Sequence, residues 1–276
     1  MTPPTFEDAR QRVGTLGISA LLAAAGGFLD GFTYVGHGHV FANSMTGNVV
    51  LLGINFFSGS WRTGLNHLPA ILCFLAGIWV AQAMQLYPKR RGTSAPYVAV
   101  LALEICVLLA LSVLPRTAAD ILFTTSIAFA ASVQVQTFRE VNGQAFNSTF
   151  TTGNLRTLAE AAFTWTFEGH SETAARIVGD FSVICAAFLV GATSGGYSTH
   201  AFGNRALWCD IILLAAIAIQ VRSQLGSNWN PEEKNGEKGG GRDVGDAGEG
   251  RGQAVLRYCR RRVESGDRRA AAEREY

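Results

Sequence analysis

Two Thr-Gly-Asn triplets, residues 46–48 and 152–154, stand 106 positions apart in this 276-residue chain, each inside a short apolar segment. Thr and Asn are favoured helix caps, Gly permits a turn or a close approach, and a helix N-terminus presents free N–H groups with partial positive charge. Two such termini could together hold an anionic group or a polar solute. The structural alternative is that each triplet starts a buried half-helix and lets it pack closely on a neighbour. Asp30 and Gln136 add one polar side chain to each half, sixteen residues before the threonine of its triplet. The expected lining of a shared substrate or ion site is therefore Asp30, Thr46, Gly47, Asn48, Gln136, Thr152, Gly153 and Asn154.

The matched positions belong to an ungapped internal repeat. A shift of 106 lays GGFLDGFTYVGHGHVFANSMTGNVVLLG, residues 26–53, on SVQVQTFREVNGQAFNSTFTTGNLRTLA, residues 132–159. Phe32 and Phe138, Val35 and Val141, the two triplets, and Leu52 and Leu158 are identical. Asp30 follows Gly26 and Gly27 and has no Lys or Arg in its apolar stretch, so it suits either a proton or cation relay or a structural hydrogen bond to another helix. Glu104 falls mid-span but outside the aligned block, and Asp180 and Asp210 fall near span ends, so they rank lower. His37 and His39 with Asp30 make too sparse a set for a metal site. No metal, cofactor or catalytic residue is expected, and no nucleophile–base set or phosphate-binding loop points to an enzyme.

The elements that must position these residues are membrane spans. Of the 23 basic and 21 acidic side chains, 21 lie in the last 50 residues, which leaves an apolar body in front of a polar tail. About 20 apolar residues cross the hydrocarbon layer as a helix, with every backbone group paired internally. Six stretches meet that test: Val13 to Gly36, Leu68 to Tyr87, Pro96 to Leu114, Ile121 to Phe138, Ile177 to Ala201, and Ala206 to Val221. The triplet segments, Thr46 to Ser58 and Thr152 to Phe167, are short for a crossing and read as re-entrant or buried half-helices. The second carries Arg156 and Glu160, both costly in lipid. Gly27-x-x-x-Gly31 and Gly191-x-x-x-Gly195 are spacings that let helices approach closely.

The fold class is thus an all-α membrane protein of about six transmembrane helices, in two three-span repeats covering about 13–114 and 119–222. Three spans per half turn the second half upside down, the plan of many secondary transporters, in which paired broken segments mark a midplane site. Lys89-Arg90-Arg91 between spans two and three, with Arg10 and Arg12, places both termini in the cytoplasm by the positive-inside rule. Counting the triplet segments as crossings would move that cluster outside. Residues 1–12 form a cytoplasmic N-terminal segment, and 223–276 a charged tail with too few apolar residues for a core. The five cysteines show no CxxC spacing and read as free thiols.

The runs Asp30-Gly31 and Val40-Phe41-Ala42-Asn43-Ser44-Met45-Thr46-Gly47-Asn48, with Gln136 and Thr151-Thr152-Gly153 as a second block, resemble the YoaK-like family of membrane proteins. The resemblance covers roughly residues 15 to 222. It implies a six-span membrane protein of uncharacterised activity and supplies no ligand or catalytic residues. The expected function is a transporter or permease for a small solute or ion, proton-coupled through Asp30. The alternative is a noncatalytic membrane scaffold or assembly factor acting through helix packing and its tail. The expected partners are the lipid bilayer and the solute or ion, with a homo-oligomer left open and no nucleic acid, since the net charge is only +2.

Overall fold

Each apolar stretch folds as one helix. A computed structural model describes residues 6–91, 97–115, 117–149 and 151–226. After α1 (Phe6–Val13), the first stretch forms α2 (Leu16–Gly36), and the others form α5 (Leu68–Arg91), α6 (Tyr97–Ser112), α7 (Asp120–Thr137), α9 (Glu172–Phe202) and α10 (Leu207–Gly226). The triplet segments form α3 (Met45–Phe57) and α8 (Thr151–Phe167), and a single turn, α4 (Trp61–Leu65), precedes α5. A 3-10 turn, Gly203–Ala206, separates α9 from α10, and Gly203 enters it at φ +61°. The sheet among the described residues is a hairpin of two-residue strands, β1 (Glu140–Val141) and β2 (Gln144–Ala145). Asn142 and Gly143 join them at φ +48° and +81°, the left-handed pair that a two-residue hairpin turn requires. Because α10 runs to Gly226, the expected tail begins later than 223, and from 227 it lies outside the described residues.

Three segments are long and apolar enough to cross a membrane: Leu16–Gly36, Trp61–Leu86 and Glu172–Gly226, the last containing both α9 and α10. At 21 residues, α2 rises about 31 Å, close to the hydrocarbon thickness. The burial pattern is inside-out for a water-soluble protein. In α3 Asn48 is buried, whereas Val49, Val50, Ile54, Phe56 and Phe57 face outward. In α8 Asn154 and Ala161 are buried while Leu155, Phe163, Trp165 and Phe167 are exposed. Such surfaces are stable only where the surroundings are themselves apolar.

Helix directions follow from which ends meet. The two glycine spacings face each other: a Cβ on Gly27 would strike the Phe188 carbonyl and one on Gly31 the Ala192 carbonyl, while Gly191 and Gly195 abut the carbonyls of Ala24 and Phe28. The contacts climb together along both chains, so α2 and α9 are parallel. The same holds for α5 and α7, where Gly77 sits against Phe129 and Ser132, and Gln85 Nε2 donates to the Gln136 carbonyl at 2.8 Å. In contrast, α2 and α7 are antiparallel. His37, at the end of α2, meets Asp120 at the start of α7 at 3.0 Å, and the Asn142 N–H beyond α7 donates to the Gly14 carbonyl before α2 at 2.8 Å. Helices α6 and α10 are antiparallel too, since Asn204 ahead of α10 donates to the Leu114 carbonyl beyond α6 at 3.2 Å.

Candidate functional site

The triplet asparagines act as brackets. Ser44 occupies the cap position of α3, and Asn48 lies inside the first turn with its side chain turned back to the preceding loop. Its Oδ1 accepts the Phe41 N–H at 2.9 Å, and its Nδ2 donates to the Phe41 carbonyl at 2.7 Å. Asn154 repeats this on Asn147, accepting its N–H at 3.4 Å and donating to its carbonyl at 2.8 Å. Both amides thus satisfy the backbone of a residue seven positions earlier, replacing the pairing that an irregular segment lacks. Asn48 is the more elaborate of the two, because His67 Nδ1 also lies 3.2 Å from its Oδ1.

Asp30 serves the same loop. Its carboxylate accepts the N–H groups of Asn43 (2.8 Å) and Ser44 (3.4 Å) and the Ser44 hydroxyl (2.5 Å), just ahead of α3, where a helix terminus favours negative charge. Thr33 Oγ1 accepts the Ala42 N–H at 3.1 Å, and Asn43 donates to the Gly26 carbonyl at 3.1 Å, so the loop is tied back to α2. Gly47 is half-buried beneath the Phe41 ring, which a Cβ would meet at 2.9 Å. Thr46, Thr152 and Gly153 are exposed. Gln136 is buried. The triplet helices do not come together: α3 packs on α4 and α5, and α8 packs on α9. The two triplets are therefore packed on different neighbours, with Asp30 and Asn48 tied to the loop before α3 and Asn154 to the loop before α8.

His37 is turned from Asp30 towards Asp120 and lies stacked on Phe123, with ring centroids 3.9 Å apart. Burial pushes its imidazole below the usual range, and the Asp120 carboxylate partly offsets this. Arg156 and Glu160 pair with each other at 2.8 Å, with both side chains largely exposed.

A polar line occupies the apolar core instead. The Ser148 hydroxyl donates to Gln134 Oε1 at 3.3 Å, and Gln134 Nε2 donates to Glu104 Oε2 at 2.7 Å. Asp210 lies within electrostatic reach of Glu104, on the helix packed against it. Both carboxyl groups are buried, each 1% exposed, among Leu101, Leu108, Leu207, Ile211 and Leu214. Glu104 Oε1 and both oxygens of Asp210 have no hydrogen-bond partner among the described residues. Ser148, Gln134, Glu104 and Asp210 come from four different segments. Buried ionisable groups of this kind inside a helical membrane bundle mark polar pathways.

The family model described as "Protein of unknown function (DUF1275)" matches residues 18–220. The chain belongs to the DUF1275 family. It is similar to the "UPF0700 transmembrane protein YoaK" of Bacillus subtilis (strain 168), at 25% identity over 210 residues, which is 75% of this chain and 93% of that protein. No solved structure matches. With its apolar helices and a transmembrane relative, this DUF1275 chain is an integral membrane protein.

Within the DUF1275 match, the sequence holds a signal for the polar line. The 106-residue shift continues past the aligned block: LALEICVLLA, residues 101–110, overlies LWCDIILLAA, residues 207–216. Leu101, Ile105, Leu108 and Ala110 fall on Leu207, Ile211, Leu214 and Ala216, and Glu104 falls on Asp210. The two buried carboxyl groups thus stand 106 residues apart, in the same register as the two triplets.

Proposed function

We propose that this protein is a noncatalytic permease for a small solute or ion, built from two inverted halves that cross the membrane six times in all. The observation that carries this reading is the antiparallel setting of repeat-related helices, α2 against α7 and α6 against α10. Four crossings run from α2 to α7 if α3 is a half-helix, and those two helices then point in opposite directions. Five would run if α3 crossed, and the two would be parallel. The exchange of partners supports the same plan, because α2 of the first half lies along α9 of the second, and α7 of the second along α5 of the first. In such folds the two halves rock about a site at their interface.

On this reading the triplet half-helices are wedges held by Asn48, Asn154 and Asp30, and the solute path runs past Glu104 and Asp210 where the halves meet. An open cleft of about 670 Å³, lined by Ser112, Leu114, Asn204, Arg205 and Trp208, lies where the end of α6 meets the start of α10 and provides a vestibule. Both termini are cytoplasmic, and the cleft faces the other side. The test begins with metabolite comparison of a deletion strain, followed by uptake of each altered solute into vesicles containing the purified protein. Saturable uptake that Glu104→Gln reduces at least tenfold is expected. Vesicles that take up none of the altered solutes above the protein-free level would remove the proposal.

A further inference from the structure

We infer that Glu104 and Asp210 form a proton-binding pair, one carboxyl from each half, that carries at least one proton at neutral pH while the core is closed. Two carboxylates in an apolar core, within electrostatic reach of each other and with no cation beside them among the described residues, cannot both be ionised, because desolvation and mutual repulsion both oppose the second charge. The charged groups on every packed element leave the pair uncompensated. Arg205 in the 3-10 turn and Arg222 in α10 are exposed, and on α1 Arg10 pairs with Glu140 while Arg12 donates to the Leu225 carbonyl at the far end of α10. On α7 Asp120 meets His37, and on α2 Asp30 is taken up by the loop before α3, so neither neutralises the pair.

The ligand set selects a proton over a metal cation. Hard cations such as calcium or magnesium take six or more oxygen ligands, whereas the pair offers three free carboxyl oxygens, and the Glu104 oxygen already bonded is held by an amide N–H. A proton needs only one oxygen. Binding converts one carboxylate to a carboxylic acid, with the proton drawn from water when the cleft beside Trp208 admits it. Gln134 and Ser148 fix the Glu104 side chain through its other oxygen and leave Oε1 free for the exchange. As the coupling site of a permease the pair rests on the function proposed above, but the protonation itself does not.

Infrared spectra of the purified full chain in lipid nanodiscs read protonation directly, through the carbonyl stretch of a protonated carboxyl group and its shift in heavy water. At pH 7 the wild type is expected to show this band, and E104Q/D210N, which keeps both shapes without charge, to lose it. A band unchanged in the double variant, or absent from the wild type, would overturn the pair. Should the double variant fail to insert, E104Q and D210N made singly carry the test: a band reduced in at least one of them supports the pair, and a band identical to wild type in both overturns it. A protein that shows the band but moves no solute keeps the proton site and loses the permease, and flux without the band does the reverse.

Discussion

Asn48 and Asn154 perform one task at two places with different completeness, which makes them a natural internal comparison. Replacing either by alanine strands a backbone N–H and carbonyl away from water, at about 1–3 kcal/mol per buried group left unpaired. Asn48→Ala should lower stability by about 2–4 kcal/mol in a detergent melt, and Asn154→Ala by less, because its N–H contact is longer and it has no partner like His67. Equal losses would argue that the bracket is not the source. His37 gives a pH effect whose sign is fixed. Burial holds the folded imidazole below its ordinary value of about 6.5, so its contribution is whole above that pH and is lost as pH falls. The melting temperature of the wild type should drop on acidification below pH ~6.5, and His37→Phe, which keeps the ring on Phe123, should flatten that part of the profile. At this scale the sequence showed where the polar groups recur but not what they hold. Cap propensity points Thr46 and Asn48 at their own helix ends; the tertiary fold sends the Asn48 amide back across a loop, a partner seven residues away that no helix periodicity encodes.

At the scale of elements, the helices were legible because sustained apolar runs of this length fold as helices, and all six stretches are helical, while three segments are long and apolar enough to cross a membrane. The hairpin was not read, although Asn142-Gly143 is a strong turn signal, because two-residue strands leave no alternating pattern to notice. The pairing of the two glycine spacings was likewise invisible: each shows that a helix is approached closely, and only the fold shows that they approach each other. Their packing yields a sharp contrast. Gly191→Ala places a methyl group against the Ala24 carbonyl and should destabilise by about 1–3 kcal/mol, whereas Gly53→Ala meets nothing within 4 Å and should be neutral or slightly stabilising. Thermal melts of the two variants check this, and similar losses would mean that the α2–α9 contact is not tight.

For the whole molecule, the proposed repeat accounts for the carboxyl pair. On that reading a single acidic position, once duplicated, places one acid on each of two packed antiparallel helices. Glu104 and Asp210 on α6 and α10 are so placed, and both are buried in a core rich in Leu and Ile. From sequence the pair could be found only by carrying the 106-residue register across segments that have lost their similarity. Everything proposed about transport rests on the halves being inverted, and this is accessible to a direct test. His39 and Ala145 are 106 residues apart, both exposed, each in the connection before its triplet helix. Single cysteines at these two positions, in a chain whose native cysteines are replaced, should react with a membrane-impermeant maleimide from opposite faces: His39→Cys from outside the cell, Ala145→Cys only after the membrane is opened. Labelling of both from the same face would contradict the inverted halves and the permease built on them.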